Sequence, residues 1–255
     1  MLKQFKRGLL ANWITAFIDV VKILSIFRLP GYFFDFIRYH RSTNETLKFR
    51  DSYPCLADRT SKTPFDPHYF YQACWLSRRL ARLSPEKHVD IGSHVQMIGV
   101  ISGFVDTVFY DYRPLQAAVG GLECRQGDLL QLPMPPGSVY SLSCLHVIEH
   151  IGLGRYGDPL DPQGSTRACA QLERVLKPGG WLFVSVPVGR ERVCFNAHRV
   201  FPPHSVLKMF TGLDLVSFSF VNDAGVYFDN YSLEEAANCS YGCGMFVFRK
   251  EEGQC

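Results

Sequence analysis

Three aspartates stand at the ends of successive strand-like runs: Asp90 in HVDIGS, Asp111 in TVFYDYRP and Asp128 in ECRQGDLLQLP. An acid followed by a glycine at the mouth of a strand, as in Asp90, Gly92 and Ser93, suits a tight strand-to-helix turn. The backbone N–H groups of such a turn favour an anionic or nucleotide-type ligand. The full G-x-G-x-x-G pattern is absent, because His94 and Gln96 occupy the stretch after Gly92. An acid about twenty residues beyond the turn commonly takes ribose hydroxyls, and Asp111 has that spacing. Asp128, after a third strand, can accept from an adenine amino group or simply shape a turn. Any one of these acids reads as an ordinary strand-end carboxylate. Three in order after three successive strands read as one binding rim.

Two further polar groups follow. His146, Glu149 and His150 in CLHVIEH fit the H-x-x-E-H zinc-peptidase pattern. That chemistry needs a helix presenting both histidines on one face and a further ligand downstream. Here the segment straddles the end of an apolar strand, so the peptidase reading is set aside; its plain alternative is that Glu149 and His150 cap the next helix. The run GRERVCFNAHRVFPPHS carries Asn196, His198 and Arg199 in a loop expected at the same rim. His198 titrates near neutrality and can serve as a general base.

The elements that must position these groups alternate. HVDIG, TVFYDY, LECRQGD, SVYSLSCLHV and the continuously apolar WLFVSVPV read as strands, followed by LDLVSFSFV and GMFVFRK. Between them, SHVQMIGVI reads as a short helix and RPLQAAVGG as a helix or loop. GSTRACAQLERVLKPGG reads as a helix closed by Lys177, Pro178 and paired glycines, and HSVLKMF as a further helix. Alternation of this kind predicts an α/β, Rossmann-like, doubly wound and mostly parallel seven-stranded sheet. Its ligand would sit outside the carboxyl ends of the strands. Residues 1–85 read as an N-terminal helical and irregular extension, and 86–255 as the α/β domain.

The order VDIGS, FYDYRP, GDLLQLPMPPGSVYSLSCLHVIEHIG and LERVLKPGGWLFVSVP resembles the class I S-adenosylmethionine-dependent methyltransferases over roughly residues 86 to 250. The stretches LPGYFFDFIRYH, YPCLADR and HYFYQACW further resemble a methyltransferase-like group, the DUF268 proteins, whose members accompany bacterial surface-polysaccharide genes. The resemblance implies S-adenosyl-L-methionine as cofactor. Asp90, Gly92 and Ser93 would shape the turn against its methionine end, Asp111 would hold the ribose, and Asp128 with Leu129 would flank the adenine. It also implies an acceptor pocket around Asn196 and Arg199, with His198 and His150 as bases. In some members a divalent ion is held from the same segment, which would here use His146, Glu149 and His150. The implied reaction is O-methylation of a sugar hydroxyl in a glycan or its precursor; the alternative is a cofactor-less module of this fold acting as an assembly partner.

Composition is that of an ordinary globular protein, 47% hydrophobic and 20% charged. A net charge of +3 without a basic stripe gives no reason to expect a nucleic-acid partner. Nine cysteines, an odd number without a C-x-x-C pair, point to reduced and mostly buried thiols in a cytoplasmic setting. The run GLLANWITAFIDVVKILSIF is about as long as a membrane span. However, Asn12, Thr15, Asp19 and Lys22 form a polar stripe at helical spacing. The expectation is an amphipathic helix, either packed on its own domain or lying through residues 1–30 on the inner face of a membrane.

Overall fold

The central strands, SLSCL and WLFVSVPV above all, are near-continuously apolar and need cover on both faces, which the fold supplies. The structure is a computed structural model and describes residues 19–252. Strands β1 (Lys87–Ile91), β2 (Asp106–Asp111), β3 (Leu122–Gln126), β4 (Val139–Leu145) and β5 (Leu176–Val188) run parallel. After the short ribbon β6 (Arg192–Cys194) and β7 (His198–Val200) come β8 (Asp214–Val221), β9 (Tyr227–Phe228) and β10 (Gly242–Arg249). The main sheet has the order β3-β2-β1-β4-β5-β10-β8-β9, with β10 antiparallel to both β5 and β8. The seven expected strands are therefore present, and the two-residue β9 adds an eighth at the edge. Strand order reverses at β1, which lies between β2 and β4, so the crevice at their carboxyl ends is the topological switch point.

The described residues divide into two compact units, one ending at Phe65 and the other starting at Asp66. The division falls ahead of the helix over 67–83, which thus belongs with the α/β unit and not with the N-terminal segment. In the first unit, α1 (Val20–Ser25) is capped by Asp19, which accepts from Lys22 N at 3.1 Å, and α2 (Leu29–Ser42) follows after one 3₁₀ turn. Phe49 stacks on Phe33 and meets Phe36 edge-on. Neither helix buries a residue. Of the polar stripe expected at Asn12, Thr15, Asp19 and Lys22, the first two lie outside the described residues, as does most of the apolar run. No helix among the described residues is long and apolar enough to cross a membrane.

In the second unit, α3 (Pro67–Leu83) starts where proline at the first position and the Asp66 side chain stop the chain. Asp66 accepts from His68 N (2.9 Å) and Tyr69 N (3.2 Å). Its buried face, Gln72, Trp75, Leu76 and Leu80, follows helical spacing. With α4 (Val95–Ile101), this face covers Phe109, Leu145, Phe183 and Val247. The opposite sheet face is covered by α5 (Gly164–Val175) through Ala168, Cys169, Leu172 and Val175, beside a row of Phe218, Phe220, Phe246 and Phe248. Each fully buried Val, Leu or Phe among them stabilises the fold by about 1.5–3 kcal/mol. Short helices α6 (Pro203–Lys208) and α7 (Leu233–Ala236) complete the unit.

Of the two alternatives for RPLQAAVGG, helix or loop, the chain takes the irregular connection. One local expectation changes. The helix expected to run to the paired glycines ends at Val175, and Leu176 already pairs with Val139 of β4. Strand pairing there wins over the local stop signal. All eight described cysteines are free thiols.

Candidate functional site

Because β1 to β4 are parallel, their carboxyl ends deliver Gly92, Asp111, Asp128 and His146 to one rim. There they line an open cleft. Its floor is apolar, from Ile91, Leu129, Val147 and Ile151, and its polar groups include Asp111, Arg113, Asp128 and His150. Backbone bonds fix the rim: Gly92 N donates to Tyr110 O at 2.8 Å and Gly127 N to Asp111 O at 3.0 Å. Asp111 Oδ1 accepts from Arg113 N (2.7 Å), and Asp128 Oδ1 from Leu130 N (2.8 Å). Gly92 has φ +67°, and a Cβ there would lie 3.2 Å from Val147 Cγ1. Glycine is needed both for the turn and for the room beside it.

Asp90 and Ser93 do not face the cleft. Asp90 is fully buried; its Oδ1 accepts from Ser93 N (3.0 Å), and its Oδ2 from the hydroxyls of Ser93 (2.7 Å) and Ser143. Ser93 Oγ accepts from Leu145 N at 3.0 Å. Behind them His88 bridges Ser141 and Ser143, each at 2.8 Å. Both residues therefore pin the turn that presents Gly92, and neither is placed to touch a ligand. Burial pushes the Asp90 carboxyl up to about 6, against the opposing hydrogen bonds from Ser143 and Ser93. Burial also pulls the His88 imidazole down to about 3.

The H-x-x-E-H residues part company. His146 follows β4 in a left-handed conformation, φ 54°, and a 3₁₀ turn over Ile148–His150 comes next. His146 Nδ1 lies 2.7 Å from Glu149 Oε1, and its Nε2 lies 3.3 Å from Cys243 Sγ. Burial alone would lower its pKa, but the charges of Cys243 and Glu149 outweigh it and raise the value well above the usual range. The same partner holds Glu149 below its ordinary value despite burial. His150 turns the other way: its Nδ1 donates to Ala197 O at 2.6 Å, and its Nε2 lies 3.8 Å from Glu149, too far for a hydrogen bond. Arg155 Nη1 approaches the same carbonyl at 3.2 Å, which accepts both donors. Burial holds His150 below the usual histidine value. The imidazole is thus neutral at neutral pH, with its lone pair on Nε2.

The expected acceptor loop is the β6–β7 ribbon, and its side chains stay out of the cleft lining. Asn196 is exposed on the turn. His198 is half-buried, its ring 6.5 Å from that of His150 and 5.2 Å from Tyr241, and burial lowers its pKa. Arg199 is buried and clamps the chain after β4, donating to Ile151 O (2.6 Å) and Ser165 Oγ (3.1 Å). It holds the fold in place of a substrate. The ribbon thus supports the cleft from behind, through Ala197 O on His150 and the Arg199 guanidinium on Ile151 O.

Sequence reasoning missed the segment over residues 152–164. There Asp158 accepts from Gly152 N (2.8 Å) and Tyr156 N (3.2 Å). Tyr156 lies between the guanidinium groups of Arg113 (4.6 Å) and Arg155 (5.1 Å), against the ring of His150. Tyr156, Asp158 and Pro159 form one wall of the cleft. The crowd of Gly and Asp in GLGRYGDPLDPQG was the available signal. His68 and Cys243 were missed as well. His68 stacks on His146 at 5.6 Å, and burial followed by the His146 charge lowers it to about 4. Nothing in their spacing foretold the contact.

Residues 139–251 match a family model described as Caenorhabditis protein of unknown function, DUF268. No curated protein matches the chain. Among solved structures, the complex of the Haloferax volcanii Trm112 methyltransferase activator with a methyltransferase aligns at 15% identity and TM-score 0.53, covering 74% of this chain and 92% of that one. The [4+2]-cyclase SpnF aligns at 15% identity and TM-score 0.52, over 70% and 82% of the two chains. The N-methyltransferase NodS from Bradyrhizobium japonicum, in complex with S-adenosyl-L-homocysteine, aligns at 15% identity and TM-score 0.50, over 71% and 87%. Likeness at this level establishes the fold. Residues 139–251 are thus similar to the DUF268 model, and the fold is that of the class I S-adenosylmethionine-dependent methyltransferases.

Proposed function

We propose that the protein is an S-adenosylmethionine-dependent O-methyltransferase acting on a sugar hydroxyl of a glycan or its precursor. The observation that carries the reading is the meeting of Gly92, Asp111, Asp128 and Leu129 in one cleft at the switch point of this sheet. The residues fit the cofactor. Asp111 offers carboxylate oxygens for ribose hydroxyls, and Asp128 with Leu129 offers an acceptor and an apolar wall for adenine. Gly92 keeps open a space that a Cβ would close. Once bound, the cofactor supplies an activated sulfonium methyl group. The chain's own residues then have to orient the acceptor, exclude water and remove one proton. His150 is the base this reading chooses, since its Nε2 is unprotonated and it lines the cleft. Tyr156, held between two arginines, closes the side of the cleft against solvent.

The divalent ion implied for His146, Glu149 and His150 takes no part in this mechanism, because Glu149 is committed to His146 and His150 to Ala197. In the same reading the N-terminal unit rests on the inner, cytoplasmic face of a membrane where sugar precursors are assembled. Exposed Val21, Leu24, Phe27, Phe34 and Ile37 support this. Co-flotation with anionic vesicles tests it.

Calorimetric titration with S-adenosyl-L-methionine and S-adenosyl-L-homocysteine tests the main reading. Saturable one-site binding, lost in Asp111→Ala with the fold retained, is expected, followed by transfer of a labelled methyl group to sugar acceptors. A folded wild-type protein that binds neither ligand overturns it in favour of a non-catalytic assembly module.

A further inference from the structure

Cys243, at the start of β10, is fully buried beside the last residues of β5, opposite Pro187. Its Sγ faces His146 Nε2 at 3.3 Å, and His68, from the first turn of α3, lies against the same imidazole. One ligand atom from each of the three side chains falls within 4.8 Å of the others. We propose that His68, His146 and Cys243 bind a zinc-class divalent cation at the base of the cleft, oriented by Glu149.

The geometry suits that ion. Zn–S near 2.3 Å and Zn–N near 2.0–2.1 Å in a tetrahedral site put such ligand atoms roughly 3.3–3.6 Å apart, and the His146–Cys243 pair already meets this. His68 is partly buried and needs a side-chain movement of about 1 Å to close the set. His146 holds its other nitrogen 2.7 Å from Glu149, the carboxylate–histidine arrangement that fixes the tautomer of a metal-binding imidazole. A second observation points the same way: Glu149 Oε2 is buried and has no hydrogen-bond partner among the described residues. A thiolate and this carboxylate together carry the charge that a divalent cation neutralises. Two imidazoles and a thiolate select zinc over calcium or magnesium. Three protein ligands leave a fourth position, and His146 belongs to the cleft lining, so that position adjoins the acceptor space. The Cys243–His146–Glu149 order also resembles a nucleophile triad, but a thiol with no exposed surface meets no substrate. Binding would release two protons to solvent, one from the His146 imidazolium, whose Nε2 becomes the ligand atom, and one from the Cys243 thiol.

The test uses the full chain, purified without an affinity histidine tag or chelator, and needs no cofactor. Its failure is therefore distinct from failure of the methyltransferase reading. Elemental analysis should find about one zinc per chain. Cobalt exchanged into the protein should show a thiolate-to-cobalt charge-transfer band. His68→Ala should weaken binding at least tenfold, and Cys243→Ser should abolish the band, both with an unchanged circular dichroism spectrum. His150→Ala should keep metal and band. Metal retained in Cys243→Ser but lost in His150→Ala would overturn the assignment in favour of the H-x-x-E-H set. No uptake of zinc or cobalt by the folded protein would overturn it outright.

Discussion

Replacing Asp90 with asparagine isolates one buried charge at the root of the cleft. The carboxyl is fully buried, and its folded-state value rises from 3.8 to about 6. The native state therefore holds the proton more tightly than the unfolded chain does. The stability this gives is present in full below pH 3.8 and is lost as pH rises through about 6. At about 1.4 kcal/mol per pKa unit, ionisation costs roughly 3 kcal/mol. Asparagine keeps the shape but cannot ionise. Urea unfolding at about pH 3.5 and about pH 7.5, followed by fluorescence of the buried Trp75 region, gives the double difference. The unfolding free energy of the wild type relative to Asp90→Asn should fall by roughly 3 kcal/mol between these pH values. A difference that stays flat with pH, or a wild type that gains on the variant as pH rises, would refute the account of Asp90 as a buried turn anchor.

Gly92→Ala should lose at least tenfold in cofactor affinity by calorimetry, with about 1–2 kcal/mol of stability lost to the left-handed backbone. Arg199→Ala should lower the unfolding free energy by about 2–3 kcal/mol by orphaning buried acceptors. Its acceptor KM should stay at the wild-type value, since the side chain faces the fold interior. If His150 is the base, the acid limb of the kcat profile should have its midpoint below the ordinary histidine value of about 6.5. The limb should vanish in His150→Gln, along with about 10²–10⁴-fold of rate.

The cleft was legible because parallel strands buried on both faces read as continuous apolar runs. The end of such a run is then marked by the first polar residue, as at Asp111, whereas Asp128 follows the mostly polar, exposed edge strand LECRQ and was legible only by its order in the series. Direction was not legible. Asp90 and Asp111 look alike as strand-end acids, yet strand alternation and the serines of β4 turn the first inward. Arg199 reads as an acceptor-binding cation on a rim loop, and only the path of the chain after β4 shows carbonyls waiting for it. The end of α5 eluded the local signals because pairing with β4 overrode them. The meeting of His68, His146 and Cys243 joins three distant segments, and no spacing rule spans that distance.

The position of β10 also bears on how the molecule is made. The strand enters between β5 and β8, so both neighbours leave the ribosome with open edges and wait for it. Until it arrives, the rows led by Phe183 and Phe218 lack their central partner, a state that invites chaperones or self-association. The pairings are long-range, which slows this last insertion. Cys243 travels on the same strand. The cluster at the base of the cleft can therefore assemble only in a chain whose sheet is already closed, and a metal bound there would mark molecules that have finished folding.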